Sequence, residues 1–344
     1  CIAVTALLAL LALVPGLARA FHEGGVAACG GCHVMHESED GLVVAADGDL
    51  LRAESASDVC LLCHANSNGA VFGLSPLAPP PERGAGNFTF LLEDNLNDAP
   101  DGALNPIPGE AAGHSIVAPG MGVGPDSRWA VAPGGSFPSS ELGCTSCHDP
   151  HGNENYRMLY GIGPVQGDIY SFVYVAPTAE GIAINGAPES ITNHTAYQRG
   201  WSNWCANCHG HYHDSSSTGF EHDYDHVMGG QRAMNYGVYD GDANPTGGTP
   251  SVSYLPQVPF QDPTVLRTYT GPPTQTSRVI CLSCHRAHAT SAPAAARWDF
   301  NVEFLAEDGV VSGSYSLPNP YPGPLQGQLC SKCHPDQGFG GGGP

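Results

Sequence analysis

Residues 281–288 read CLSCHRAH, and the first five letters, Cys-x-x-Cys-His, recur along the whole chain. The other five copies begin at Cys29, Cys60, Cys144, Cys205 and Cys330. At the amino-acid frequencies of this chain, chance would produce only about 0.02 copies of the pattern. The repetition therefore reflects a chemical requirement that each copy meets.

The spacing of the pattern indicates what that requirement is. On one helical turn, residues i, i+3 and i+4 project from the same face. Two thiols can then add to the two vinyl groups of one porphyrin, while the imidazole that follows reaches its iron. Structural zinc and disulfides are the alternatives, but a zinc site needs paired ligand pairs and a disulfide needs no histidine.

The pattern therefore predicts six covalently attached haem c groups. The predicted thioether-forming residues are Cys29, Cys32, Cys60, Cys63, Cys144, Cys147, Cys205, Cys208, Cys281, Cys284, Cys330 and Cys333. The predicted proximal iron ligands are His33, His64, His148, His209, His285 and His334.

The composition predicts little regular secondary structure. The 344 residues include 45 Gly and 30 Pro, which is too many for long helices or a continuous sheet. A chain of loops buries little apolar surface, so large apolar cofactors must supply much of the core. We expect a multihaem cytochrome c fold, mostly coil with short helices and few short strands, folded around a chain of stacked haems. Residues 298–306 are predicted to form one strand, and single-turn helices are predicted after the attachment sites.

The first twenty residues differ from the rest. Residues 2–14 are almost wholly apolar, and Ala18-Arg19-Ala20 carries small residues where signal peptidase cleaves. We expect 1–20 to be an N-terminally truncated signal peptide. Residues 21–344 are then one hexahaem domain with a flexible Gly-rich tail at 338–344. The motifs have no fixed period, so an array of identical modules is not expected.

The charge and hydropathy exclude several partners. The chain has 33 acidic and 12 basic residues, a formal net charge of -21. Such a protein repels nucleic acid and anionic lipid. No other apolar run is long enough to cross a bilayer, so no membrane span is expected.

The sixth iron ligand separates electron transfer from catalysis, because a vacant position allows substrate binding. Ten histidines remain after the six proximal ones, and five methionines are too few for six irons. The distal candidates are His36, His114, His151, His213, His222, His288 and His22. For His194, His211 and His226 we favour surface or hydrogen-bonding roles. No histidine follows His64 closely, so its haem needs a ligand from a distant segment.

Three candidates share one spacing. His36, His151 and His288 each follow a proximal histidine by three residues. A histidine one turn beyond the proximal ligand cannot reach the opposite face of its own haem, but it can reach a second haem alongside. The spacing therefore predicts closely paired haems.

Several segments together resemble one known family. They are residues 21–36 (FHEGGVAACGGCHVMH), Gly113-His114 with 116–118 (IVA), 132–135 (APGG), 144–152 (CTSCHDPHG), 204–209 (WCANCH), 281–289 (CLSCHRAHA), and Leu329-Cys330 with 332–334 (KCH). In this order they resemble the OmcS-type hexahaem cytochromes, the Geobacter family whose members polymerise into extracellular nanowires.

The resemblance implies six bis-histidine haems in a continuous chain of alternating parallel and T-shaped pairs. It also implies that His36 leaves its own subunit and ligates the haem of Cys281 and Cys284 in the neighbouring protomer. Implied partners are further copies of the chain, redox partner cytochromes and extracellular electron acceptors. The implied location is outside the cell or on its outer surface, with the periplasm as the alternative.

Three functions are compared. The first is a polymeric conduit for respiratory electrons, and the second is a discrete periplasmic or surface electron shuttle with the same haems. The third, a multihaem reductase, needs an open or unusually ligated haem, and all six motifs here end in histidine. We therefore expect an electron carrier and not an enzyme.

Overall fold

The structure of the chain is a computed structural model. It describes residues 29–34, 36, 38–39, 42–43, 50–66, 69–76, 78–81, 83–92, 109–183, 187–213, 226–305 and 319–334. The predictions for the signal peptide at 1–20, for His22 and His222, and for the tail at 338–344 lie outside the described residues.

Helices are few and short in the described residues. The longest α-helix has nine residues. The α-helices are α1 (Ala56–His64), α2 (Cys144–Cys147), α3 (Trp201–Cys205), α4 (Gly210–His213), α5 (Gln231–Val238) and α6 (Gly327–Ser331). Single 3-10 turns lie at Cys29–Gly31, Phe88–Leu92, Gly109–Ala111, Pro119–Met121, Ser139–Glu141, Tyr156–Met158, Gln166–Asp168, Pro250–Val252, Cys281–Ser283 and Pro293–Ala295.

The strands in the same ranges form four antiparallel pairs. These pairs are β1 (Ser38–Glu39) with β2 (Leu42–Val43), β3 (Gly163–Pro164) with β4 (Ser171–Phe172), β5 (Thr178–Glu180) with β6 (Ala196–Arg199), and β7 (His226–Val227) with β8 (Arg278–Val279). The predicted fold, mostly coil with short helices and few short strands, is confirmed. No helix in the described part of the chain is both long and apolar enough to span a membrane.

Two local predictions were wrong. Residues 298–305 form turns because the carboxylate of Asp299 accepts hydrogen bonds from the backbone N–H and side-chain amide of Asn301, at 2.9 and 2.8 Å. Only Phe304 makes a strand-like bridge there, with Leu325. In the described residues, helical turns lie within the motifs themselves, and among the segments directly after them only α4 is helical.

The largest buried cluster is rich in aromatic side chains. Tyr236 and Phe260 meet edge to face with ring centroids 5.5 Å apart, a favourable geometry for aromatic pairs. The hydroxyl of Tyr236 donates to the carbonyl of Val258 at 2.9 Å and accepts from the backbone N–H of Leu255 at 2.9 Å. These contacts hold a loop without regular secondary structure in place.

One buried carboxylate organises the loop that leads to the fifth motif. Asp262 has no exposed surface and accepts five hydrogen bonds. The donors are the N–H and hydroxyl of Thr264 (2.9 and 2.6 Å) and the hydroxyls of Thr274 (2.7 Å), Thr276 (2.9 Å) and Ser277 (2.7 Å). Burial would raise the pKa of Asp262, but these donors lower it to about 2.

We expect Asp262→Asn to lower the free energy of unfolding at pH 7 by about 2 kcal/mol, because charged hydrogen bonds are lost. A lowered pKa means that the ionised form stabilises the wild type fully above about pH 4 and loses this effect as the pH falls towards 2. Denaturant unfolding of the two proteins should therefore converge in acid. The exposed Asp168→Asn variant is the control, and a gap independent of pH would contradict the assignment.

Candidate functional site

All six Cys-x-x-Cys-His motifs contain the predicted helical turn. In five of them the backbone N–H of the histidine donates to the carbonyl of the first cysteine. These bonds join His33 to Cys29 (2.9 Å), His148 to Cys144 (3.0 Å), His209 to Cys205 (3.0 Å), His285 to Cys281 (2.9 Å) and His334 to Cys330 (3.2 Å). The remaining motif, the second in the chain, forms the end of α1. An i to i−4 bond places both cysteines and the histidine on one face of the turn.

None of the twelve motif cysteines, all of which are described, is in a disulfide. The described residues also contain no cluster of three or more His, Cys, Asp or Glu side chains arranged to hold a metal ion by themselves. The turns place two thiols and one imidazole together, which is the donor set that covalent haem attachment requires.

The first three attachment sites lie next to one another in chain order. Burial, and then the thiolate charges of Cys60 and Cys63, raise the pKa of Cys32. The Cys60 thiol donates a hydrogen bond to the sulfur of Cys144, which raises the pKa of Cys60 and lowers that of Cys144. Sites one, two and three therefore form a continuous series.

The series continues through the fourth and fifth sites. Burial, followed by the charge of Cys208, raises the pKa of Cys147 to about 12. A hydrogen bond from the Cys205 thiol to Cys281 raises the pKa of Cys205. The second-to-third and fourth-to-fifth junctions thus bring together the same positions, the first cysteine of each motif.

The fifth and sixth sites complete the path. Burial raises the pKa of Cys284 to about 12, with a smaller contribution from Cys330. Burial also raises the pKa of Cys333 to about 12, and the charge of Cys284 adds to this effect. The six sites therefore follow one another through the molecule in the order of the sequence.

Two serines connect neighbouring motifs, one at the second-to-third junction and one at the fourth-to-fifth junction. The backbone N–H of Cys144 donates to the hydroxyl of Ser57 at 3.2 Å, and that of Cys281 donates to Ser202 at 3.3 Å. Each serine lies three residues before the first cysteine of the preceding motif. Sequence analysis missed both serines, although their shared position was a signal that could have revealed them.

In the third and fifth motifs, the chain that follows the proximal histidine folds back and pairs with the motif. We call this loop, residues 149–160 in the third motif and 286–297 in the fifth, the strap. In the third, the N–H of Asp149 donates to the carbonyl of Met158 at 2.8 Å, and the N–H of Tyr160 donates to that of Cys147 at 2.9 Å. In the fifth, the corresponding pairs are Arg286 with Ala295 at 2.6 Å and Arg297 with Cys284 at 2.8 Å.

The first motif repeats this strap. The N–H of Val34 donates to the carbonyl of Leu50 at 2.8 Å, and that of Arg52 donates to Cys32 at 3.0 Å. The acceptor residue of the strap has a left-handed backbone in all three motifs, with φ of 54° at Leu50, 57° at Met158 and 54° at Ala295. The strap is longer in the first motif than in the third and fifth, and the motifs are unequally spaced along the sequence, which concealed this repeated unit.

Three proximal histidines have their Nδ1 atoms bound to backbone carbonyls. The pairs are His148 with Arg157 (2.8 Å), His209 with Pro133 (2.7 Å) and His285 with Ala294 (3.0 Å). A carbonyl fixes the proton on Nδ1 and leaves Nε2 to ligate a metal. Burial lowers the pKa of all three imidazoles, which favours the neutral form that binds iron.

Two distal candidates face proximal histidines. The ring centroids of His114 and His209 are 6.0 Å apart, and those of His148 and His288 are 6.5 Å apart. Two imidazoles on opposite sides of one metal ion, each about 2 Å from it, would have ring centres about 6 Å apart. The two pairs therefore fit bis-histidine ligation.

The environment of these distal candidates is consistent with ligation. The Nδ1 of His114 donates to the carbonyl of Ala287 at 2.7 Å, which leaves its Nε2 as the nitrogen that can ligate a metal. Burial, with a smaller contribution from His209, lowers the pKa of His114 to about 4. Burial, with a smaller contribution from His148, lowers the pKa of His288 to about 3. Both imidazoles are therefore neutral at physiological pH.

The remaining described histidines differ in their surroundings. His36 and His151 are exposed. His213 donates from Nε2 to the side-chain carbonyl of Asn203 at 2.7 Å. His194 is fully buried, with Nε2 2.8 Å from the carbonyl of Tyr269 and Nδ1 3.3 Å from that of Thr195, in line with the hydrogen-bonding role favoured for it.

The comparisons with known proteins support the same chemistry. Residues 137–167, which include the third motif, match the family described as "Doubled CXXCH motif". The chain is 30% identical over 423 aligned positions to the C-type cytochrome OmcS of Geobacter sulfurreducens, covering 95% of this chain and 96% of that protein. With the geometry of the turns, this identifies the chain as a c-type cytochrome that binds haem c.

Two solved structures extend the comparison. The outer membrane cytochrome S filament of Geobacter sulfurreducens has a TM-score of 0.76, 27% identity and coverage of 92% of this chain and 100% of that chain. The OmcS nanowires of the same organism, solved by cryo-EM, have a TM-score of 0.71 with the same identity and coverage. The chain belongs to the OmcS family of multihaem cytochromes.

The histidine pairs predict the response to an external ligand. We expect His288→Ala to leave all haems attached but to open one iron position, because His288 lies across from His148. Carbon monoxide should then bind one more reduced haem per chain than in the wild type, measured by the absorbance change on titration.

The matched control is His211→Ala, which removes an exposed histidine. It should behave like the wild type. Carbon monoxide binding above the wild-type level in the control, or no increase in His288→Ala with full haem content, would contradict the assignment of His288.

Proposed function

We propose that the chain carries electrons through six haem c groups, one at each Cys-x-x-Cys-His motif. The two cysteines of each motif form the thioether bonds and the histidine is the proximal ligand. Haem supplies one-electron chemistry, the exchange of iron between Fe(III) and Fe(II). The observation that carries this proposal is the unbroken series of attachment sites, in which each motif lies next to the following one.

The repeated strap supports an assignment of distal ligands. His288, three residues after the proximal histidine of the fifth motif, faces His148 of the third. The same offset of two motifs assigns His151 to the haem of the first motif. His36 follows the first motif, and no motif of its own chain lies two places earlier. The same offset therefore assigns His36 to the fifth motif of a second copy of the chain. His114 is assigned to the fourth haem on the basis of its contact with His209.

The offset and the relatives together support polymerisation. The solved relatives are a filament and nanowires. His36 is exposed, as a ligand donated to another subunit must be before assembly. Cys29 and Cys330, the first cysteines of the first and last motifs, are also exposed. The first cysteines that meet within the chain are partly buried, namely Cys60 with Cys144 and Cys205 with Cys281. The ends of the haem series are thus accessible to neighbouring copies.

The function that the geometry supports best is a polymeric conduit outside the cell. It receives respiratory electrons from partner cytochromes and passes them to extracellular acceptors. A signal peptide at 1–20 directs export, and residues 21–344 form one hexahaem domain. We propose an electron carrier and not an enzyme: all six motifs end in histidine, and at the fourth and third sites His114 and His288 lie where a sixth ligand would bind.

Haem content tests the cofactor count. The mass of the secreted protein should exceed that of its polypeptide by six haem groups, because each motif forms two thioether bonds with one porphyrin. Intact-mass spectrometry measures this directly. A mass equal to that of the bare polypeptide would refute the whole proposal. An intermediate mass would show that fewer than six motifs carry haem.

Polymerisation is tested by His36→Ala. We expect this variant to bind six haems and to remain as single protomers, because the fifth haem loses the ligand donated by its neighbour. Electron microscopy of the secreted material, with haem content measured on the same sample, reads both results.

His211→Ala serves again as the control and should form filaments of normal length. Normal filaments of His36→Ala would contradict the proposed interface. Single protomers in the wild-type secretion would favour the discrete electron shuttle instead.

A further inference from the structure

A buried ion cluster lies against the fifth attachment motif. The carboxylate of Glu189 lies 3.1 Å from the guanidinium of Arg286 and 4.0 Å from that of Arg297. The exposed fraction of the side chain is 7% for Glu189, 7% for Arg286 and 1% for Arg297. One carboxylate is thus shared by two guanidinium groups, with very little solvent to screen their charges.

Arg297 is held by neutral acceptors as well as by the shared carboxylate. Its Nε donates to the carbonyl of Leu282 at 2.7 Å, inside the fifth motif. Its terminal nitrogens donate to the carbonyl of Pro256 and the hydroxyl of Tyr197, each at 3.1 Å. The backbone N–H of the same residue donates to Cys284 at 2.8 Å. A permanent positive charge is therefore fixed on the peptide that carries the fifth haem.

The carboxylate is ionised despite its burial. Burial by itself would raise the pKa of Glu189, but the charges of Arg286 and Arg297 hold it below its usual value. The backbone N–H of Thr195 also donates to Glu189, at 2.8 Å. The negative charge of Glu189 therefore offsets part of the positive charge next to the motif at all physiological pH values.

The third motif provides an internal comparison. Tyr160 occupies the strap position that Arg297 occupies in the fifth motif, since its N–H donates to the second cysteine of its own motif in the same way. A tyrosine is neutral at physiological pH. The two straps thus have the same backbone but different charges.

Reduction of a bis-histidine haem adds one electron to Fe(III) and gives Fe(II), so the site loses one unit of positive charge. A buried cation nearby disfavours the ferric form and raises the reduction potential. We propose that Arg297 raises the reduction potential of the haem attached at Cys281 and Cys284, and that Glu189 is a positioning and tuning residue that limits this rise. This inference rests on the proposed attachment of haem at the fifth motif.

The test uses the haem-loaded protein and two variants that change the charge in opposite directions. Glu189→Gln removes the negative charge, so the potential of one haem in six should rise. Arg297→Gln removes the positive charge, so the potential of the same component should fall. Arg297→Lys retains the charge and should remain close to the wild type. Spectroelectrochemical titration of the haem absorbance measures each shift.

The matched control is Glu180→Gln. It makes the same chemical change on a partly exposed carboxylate that pairs with Arg267 at 3.7 Å, where solvent and salt screen the charge. It should leave all potentials unchanged.

Opposite shifts in Glu189→Gln and Arg297→Gln support the tuning role, since structural damage would move both in one direction. Shifts of the same sign, or no shift in Glu189→Gln, overturn it. Haem content is measured on the same samples. Absence of haem at Cys281 and Cys284 in the wild type refutes the proposed function, whereas full content with unshifted potentials refutes the tuning role alone.

Discussion

The structure depends on a single hydrogen bond that is repeated along the chain, from the N–H of the motif histidine to the carbonyl of the first cysteine, four residues earlier. It places two thiols and one imidazole on the same face of a turn, where they can attach one haem. A chain with 45 Gly and 30 Pro among 344 residues forms only short elements and has a limited side-chain core. Covalently bound porphyrins supply the apolar surface around which such loops can pack.

The attachment sites are not independent of one another. The first, third and fifth motifs share a strap with a left-handed residue, whereas in the second, fourth and sixth the helices α1, α3 and α6 begin before the first cysteine. At two junctions the first cysteines of successive motifs lie together, and a serine binds the next motif. The two kinds of site alternate along a series in which each motif lies next to the following one.

Basic residues are rare in this acidic protein, and several lie against attachment motifs. Arg52 donates to the carbonyl of Gly30 in the first motif at 2.7 Å, and Arg297 makes the equivalent contact with Leu282 in the fifth. Lys332, within the sixth motif, is buried and donates to the carbonyl of Tyr239 at 3.0 Å. The proposed effect of Arg297 on its haem would apply to any cation held this close to a motif, in a protein whose formal net charge is -21.

The sequence by itself determined the attachment chemistry, because the residues that hold one haem are neighbours on one turn. It also predicted the low content of helix and strand from glycine and proline. Only the tertiary structure showed that His114 faces His209 and that His288 faces His148, since those partners come from distant segments. The straps were equally hidden, because Leu50, Met158 and Ala295 adopt left-handed backbones that residues other than glycine rarely adopt. Contacts between distant segments depend on how the loops pack, and the spacing of residues along the sequence does not indicate that packing.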